Sequence, residues 1–189
     1  MDRNLLRQHI QKFVADAKRD PNKIERDLKE RIELTTYYQQ FSRERMLTMT
    51  AEDVYDYLSR LWAMLIWGNK HFVVDKIIED NGPENFRQSL ANLVWGLADI
   101  SERWNAFRTE VKGMGPAMIS EILCKTYPDD FMIWNRPTKV GLNYLRVEGL
   151  PRYDYQLTGR YTNIFVSRRY QRARRSTRSG KPQSATWDE

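Results

Sequence analysis

The sequence predicts an all-α fold. Three observations carry that reading. Apolar residues recur every three or four positions through most of the first 125 residues. Capping and breaking residues fall between these runs. No comparable run of alternating apolar residues occurs, which argues against a sheet.

The elements follow in order. Leu6, Ile10, Phe13, Val14 and Ala17 form a helical stripe that stops before Pro21. Ile24, Leu28 and Ile32 form a second stripe on a highly charged segment, so that helix is expected to be exposed on most of its circumference. Thr50 and Asp53 make a capping box with Asp in place of Glu. The helix they open is expected to carry Val54, Tyr57, Leu58, Leu61 and Leu65, with Trp62 and Trp67 beside them, and to stop near Gly68-Asn69. Val73, Val74, Ile77 and Ile78 predict a short amphipathic helix ending at Asn81-Gly82-Pro83. Pro83 suits the first turn of the next helix, which carries Phe86, Leu90, Leu93, Val94 and Leu97. Ile100, Trp104, Phe107 and Val111 continue the pattern.

At 189 residues, 41% hydrophobic and 12% aromatic, the chain fits one domain with a real core. The division expected is a helical, DNA-binding-like domain over 1–167 and an Arg-rich, disordered tail over 168–189. One cysteine, Cys124, excludes an intrachain disulfide and a four-cysteine metal site. Two histidines make no His-rich metal centre, and neither metal nor cofactor is expected. No apolar run approaches the ~20 residues of a membrane span, and the N-terminus lacks a signal-peptide pattern. A cytoplasmic protein is the expectation.

The net charge of +6 is unevenly placed. Residues 168–189 contribute +5 and the body only +1. Two readings of the tail stay open. It is an arm for phosphate backbones, or the ending of a truncated or frame-shifted gene.

The informative segment is 107–145. Two helical stripes flank Lys112-Gly113-Met114-Gly115, and Pro116 opens the second helix. The glycines permit a tight turn and leave no Cβ in the way of an approaching backbone. The unpaired N–H groups of a helix's first turn attract an anion such as a DNA phosphate. Lys112, Lys125 or Lys139 would add charge if they share that side. A Gly-x-Gly between helices is also often a plain turn.

Gly113-Met114-Gly115 followed by Pro116-Ala117-Met118-Ile119-Ser120-Glu121-Ile122-Leu123 resembles the helix-hairpin-helix motif of DNA-repair proteins. Phe131-Met132-Ile133-Trp134-Asn135-Arg136 resembles the segment that follows it in helix-hairpin-helix DNA glycosylases. That resemblance places Ala117 at the position of the family's nucleophilic Lys and Asn135 at that of its catalytic Asp. A neutral amide neither stabilises a developing cation nor activates a nucleophile. The plain reading of Asn135 is the N-cap of a helix containing Pro137.

A second resemblance spans about residues 1–165. Leu61-Trp62-Ala63, Ile66-Trp67-Gly68-Asn69-Lys70, Lys112 to Ala117, Ile133 to Pro137 and Tyr153-Asp154-Tyr155-Gln156-Leu157 together resemble the N-terminal region of McrB-type restriction ATPases and related prokaryotic defence proteins. It implies a recognition domain that works beside a motor or nuclease subunit. No Gly-x-x-x-x-Gly-Lys-Ser/Thr occurs, so nucleotide hydrolysis is not expected of this chain.

Trp62, Trp67, Trp95 and Trp104 are expected in the core. Trp134 either stacks on a base or sugar or plugs the hairpin. His71 is expected at the surface or as a cap. The reading that follows is a non-catalytic DNA-binding module. Lys112, Gly113, Met114 and Gly115 would hold phosphate, with Trp134, Asn135 and Arg136 near sugar or base. Its rivals are an active glycosylase using Asp129 or Asp130, and a helical protein-interaction module.

Overall fold

The structure, a computed structural model, describes residues 1–157. Among the described residues the fold is all-helical and contains no strand. The Arg-rich stretch 168–189 lies outside them.

α1 (Arg3–Arg19) and α2 (Pro21–Gln39) form a helical hairpin. Asp20 joins them, and its carboxylate accepts from the Lys23 N–H to cap α2. α1 buries none of its residues and α2 buries only Tyr38. The second helix is exposed as its sequence predicts. The apolar stripe of the first is unexpectedly exposed too.

α3 (Arg43–Leu47) precedes α4 (Ala51–Ser59), whose capping box is formed as expected. Thr50 Oγ1 accepts from the Asp53 N–H at 3.1 Å, and Asp53 accepts from the Thr50 N–H at 2.8 Å. α4 ends at Ser59, short of the predicted Gly68, and a single 3-10 turn follows at Trp62–Met64. The cause is tertiary. Glu121 accepts from the Trp62 and Ala63 N–H groups at 2.6 and 3.0 Å, so a distant carboxylate caps the 3-10 turn. Lys70 and Lys125 donate to the Ser59 and Arg60 carbonyls at the end of α4. Leu61 and Met64 turn into the core, while Leu65, Ile66 and Trp67 are left at the surface.

α5 (Lys70–Asn81) ends at the predicted Asn81-Gly82-Pro83 break, and Pro83 opens α6 (Pro83–Trp95) as expected. Leu97 falls beyond α6 and is exposed. α7 (Ile100–Glu110) carries a buried Arg103 whose guanidinium donates to the Leu93, Val94 and Ala98 carbonyls around the end of α6. Such charge-assisted bonds satisfy carbonyls that a helix end leaves open.

α8 (Pro116–Thr126) is the central helix. Every residue from Met118 to Thr126 is buried, and α8 packs against α2, α6 and the 3-10 turn. Glu121 and Lys125 on it form a buried ion pair at 2.6 Å. Trp104 and Trp134 lie fully inside, whereas Trp62 and Trp67 do not. α9 (Arg136–Tyr144) closes the bundle. The N-terminus of α1 meets its far end, where the Asp2 N–H donates to the Leu145 carbonyl at 2.7 Å. His71 stacks face to face on Tyr55 at 3.7 Å.

Candidate nucleic-acid interface

Five residues, Val111 to Gly115, connect α7 to α8. Val111 and Met114 turn inward and anchor the loop, while Lys112, Gly113 and Gly115 are exposed. Asn81, the last residue of α5, holds its entry. The Lys112 N–H donates to Asn81 Oδ1 at 2.8 Å, and Asn81 Nδ2 donates to the Lys112 carbonyl at 3.0 Å. The same amide donates to the Ile77 carbonyl at 2.6 Å. One side chain thus matches the loop backbone as a neighbouring strand would. Asn81 stood in the sequence only as a helix end, because the partner is 31 residues away.

The two glycines have different duties. Gly113 has φ +84°, and a Cβ there would stand 2.9 Å from Ile77 Cγ1. Both the backbone and the space demand glycine. Gly115 has φ −88° as the N-cap of α8, and a Cβ there would meet no atom within 4 Å. No internal packing requires glycine at that position.

The N–H groups of Gly113, Met114, Gly115, Ala117 and Met118 have no acceptor among the described residues. Gly115, the N-cap, has no side chain to satisfy the first turn of α8. Unpaired first-turn donors and the positive end of a helix dipole favour an anion.

Of the three lysines considered, only Lys112 is exposed at the hairpin. Lys125 is 5% exposed and paired with Glu121. Its ammonium also lies over the Tyr38 and Trp62 rings. Lys139 is paired with Asp154 at 2.9 Å. The charge of Lys125 is therefore spent in the core, and that of Lys139 in a surface pair with Asp154.

Trp134 is 1% exposed, so the stacking role expected for it does not fit this placement. Its indole N–H donates to Asp154 at 3.3 Å, and its backbone N–H donates to Ser120 Oγ at 2.8 Å. Ser120 in turn donates to the Ala117 carbonyl. The ring is buried and fastened one turn into α8. Asn135 is the N-cap of α9, with Oδ1 accepting from the Thr138 N–H and hydroxyl at 3.0 and 2.9 Å. Arg136 is exposed in the first turn of α9. Among the described residues no cluster of His, Cys, Asp or Glu is arranged to hold a metal, and no helix is long and apolar enough to cross a membrane.

No family model, curated protein or solved structure matches this chain.

Proposed function

We propose that this chain is a non-catalytic DNA-binding module and that a backbone phosphate sits against the loop between α7 and α8. The observation that carries the reading is the set of unclaimed N–H groups at Gly113, Met114, Gly115, Ala117 and Met118, two of them on exposed glycines, beside a glycine no packing requires. Such donors hold phosphate through geometry and dipole, with little demand on net charge. Lys112 adds one exposed cation, and Arg136 would offer a second contact. The helix-hairpin-helix resemblance supports the same reading. The likeness to McrB-type recognition regions makes a restriction or defence system the setting we favour, with a motor or nuclease as partner.

The glycosylase alternative is less well supported. Asn135 stands where that family has its carboxylate, and its side-chain oxygen is already engaged in capping. Ala117 brings no nucleophile.

Titration of the full chain with labelled duplex DNA at low and physiological salt tests the proposal. Hairpin binding predicts affinity that falls with salt and is lost on Gly115→Val. Release of a base from lesion-containing duplex would instead restore the glycosylase reading. Absence of any DNA binding at low salt would remove both.

A further inference from the structure

We propose that the pocket between α2 and the C-terminal end of α8 binds a small organic carboxylate, with Arg31 and Thr35 on its charged group and an apolar body below. The inference is independent of DNA binding, since the Gly113–Gly115 loop lies at the other end of α8.

The pocket is a cavity of about 350 Å³. Ligand sites run from ~300 to ~1,000 Å³, so this one suits a body of one or two rings. Arg31 and Thr35 on α2 line one side, and Trp62 of the 3-10 turn lines another. Cys124, Phe131 and Ile133 supply apolar lining from α8 and the segment after it. Cys124 and Phe131 are buried. The Trp62 wall is held at both ends. Its indole N–H donates to Glu30 at 3.0 Å, and its backbone N–H donates to Glu121 at 2.6 Å. A wall fixed in advance spares a ligand the cost of ordering it.

The polar groups select the ligand class. No acid lines the pocket, and its two cations are Arg31 and Lys125. Lys125 is neutralised by Glu121. The Arg31 guanidinium makes no ion pair and no hydrogen bond among the described residues, and neither does the Thr35 hydroxyl. Thr35 follows Arg31 by one helical turn, so both stand on the same face of α2. The charge of Arg31 also reaches the apolar lining. Burial pushes the Cys124 thiol up, and Arg31 is the largest influence opposing it. A guanidinium pairs with both oxygens of a carboxylate in a planar fork. A phosphate would bring a second negative charge to a site with one free cation. An organic cation would meet Arg31 with like charge. A neutral apolar ligand would leave both polar groups unused.

Amide NMR of the full chain titrated with naphthoate tests this. The expected result is saturable shifts centred on the amides of Thr35, Cys124 and Ile133. Binding should be at least about tenfold weaker for uncharged naphthamide, and for naphthoate with Arg31→Gln. That variant should keep the fold, because Arg31 is exposed and pairs with no described residue. Four results would overturn the proposal: no saturable shifts, shifts centred on another surface such as α1, equal affinity for the amide, or undiminished naphthoate binding by Arg31→Gln.

Discussion

The side chain of Asn81 is bonded in both directions to the backbone of Lys112, at 2.8 and 3.0 Å. It ties the end of α5 to the entrance of the α7–α8 loop. A third bond, to the Ile77 carbonyl, fixes the amide itself. The loop's shape therefore depends on a residue 31 positions upstream. Asn81→Ala should cost about 1–2 kcal/mol of stability, the scale for losing such bonds. It should weaken DNA binding more than that loss explains, since the loop is freed as well. Denaturant unfolding and anisotropy titration on the same sample separate the two. Equal DNA affinity with reduced stability would show that the clamp is structural alone.

Glu121 and Lys125 form a buried pair that also organises the end of α4 and the 3-10 turn after it. Removing one partner from such a pair typically costs about 3–5 kcal/mol, because the other charge stays buried. Glu121→Ala should reach that range, as it strips two N–H groups and an ammonium of their acceptor. Joint Glu121→Leu and Lys125→Met should recover part of the ion-pair cost, leaving the two N–H groups unsatisfied. Urea midpoints of the single and double variants check the order.

The Tyr57 hydroxyl is fully buried and has no hydrogen-bond partner among the described residues. An orphan of this kind is destabilising, so Tyr57→Phe should raise stability by about 1 kcal/mol. Burial also drives the Tyr57 pKa far above its ordinary value. The folded state then keeps a proton that the unfolded state releases near pH 10. The stabilisation is complete below pH 10 and is lost as pH rises through the raised folded-state value. Alkaline unfolding of the Phe variant should be correspondingly less steep.

The Thr50 N–H and hydroxyl hold the Asp53 carboxyl below its ordinary value. A depressed carboxylate stabilises above its unfolded pKa, and that contribution disappears as pH falls through the lowered one. Acid titration should therefore weaken the start of α4 below about pH 3.8. Asp53→Asn should flatten that part of the stability profile. An unchanged acid limb would mean the box contributes nothing in solution.

The starts of α4, α6, α8 and α9 were legible because punctuation is local. Pro83, Pro116 and the Thr50–Asp53 box act within one turn. The early end of α4 was hidden, since the groups responsible lie on α5 and α8. Periodicity extended the stripe to Leu65 and Trp67 because it carries no information about a distant carboxylate. The same limit misplaced Lys125, whose pairing with Glu121 depends on burial that charge counting does not see. At the candidate interface, the Gly113-Met114-Gly115 turn could be read from composition. The separate duties of its glycines needed the position of Ile77.

That separation yields the most direct test. A Cβ at Gly113 collides with Ile77, so Gly113→Val confounds fold with function. A Cβ at Gly115 meets no atom within 4 Å among the described residues, and the expected cost there is a cap penalty of about 1 kcal/mol or less. The decisive measurement is duplex-DNA affinity of the full chain with and without Gly115→Val, at physiological salt and with unfolding midpoints taken alongside. The account predicts binding at least about tenfold weaker, worth ~1.4 kcal/mol, in a protein that remains folded. Unchanged affinity in that folded variant would contradict it.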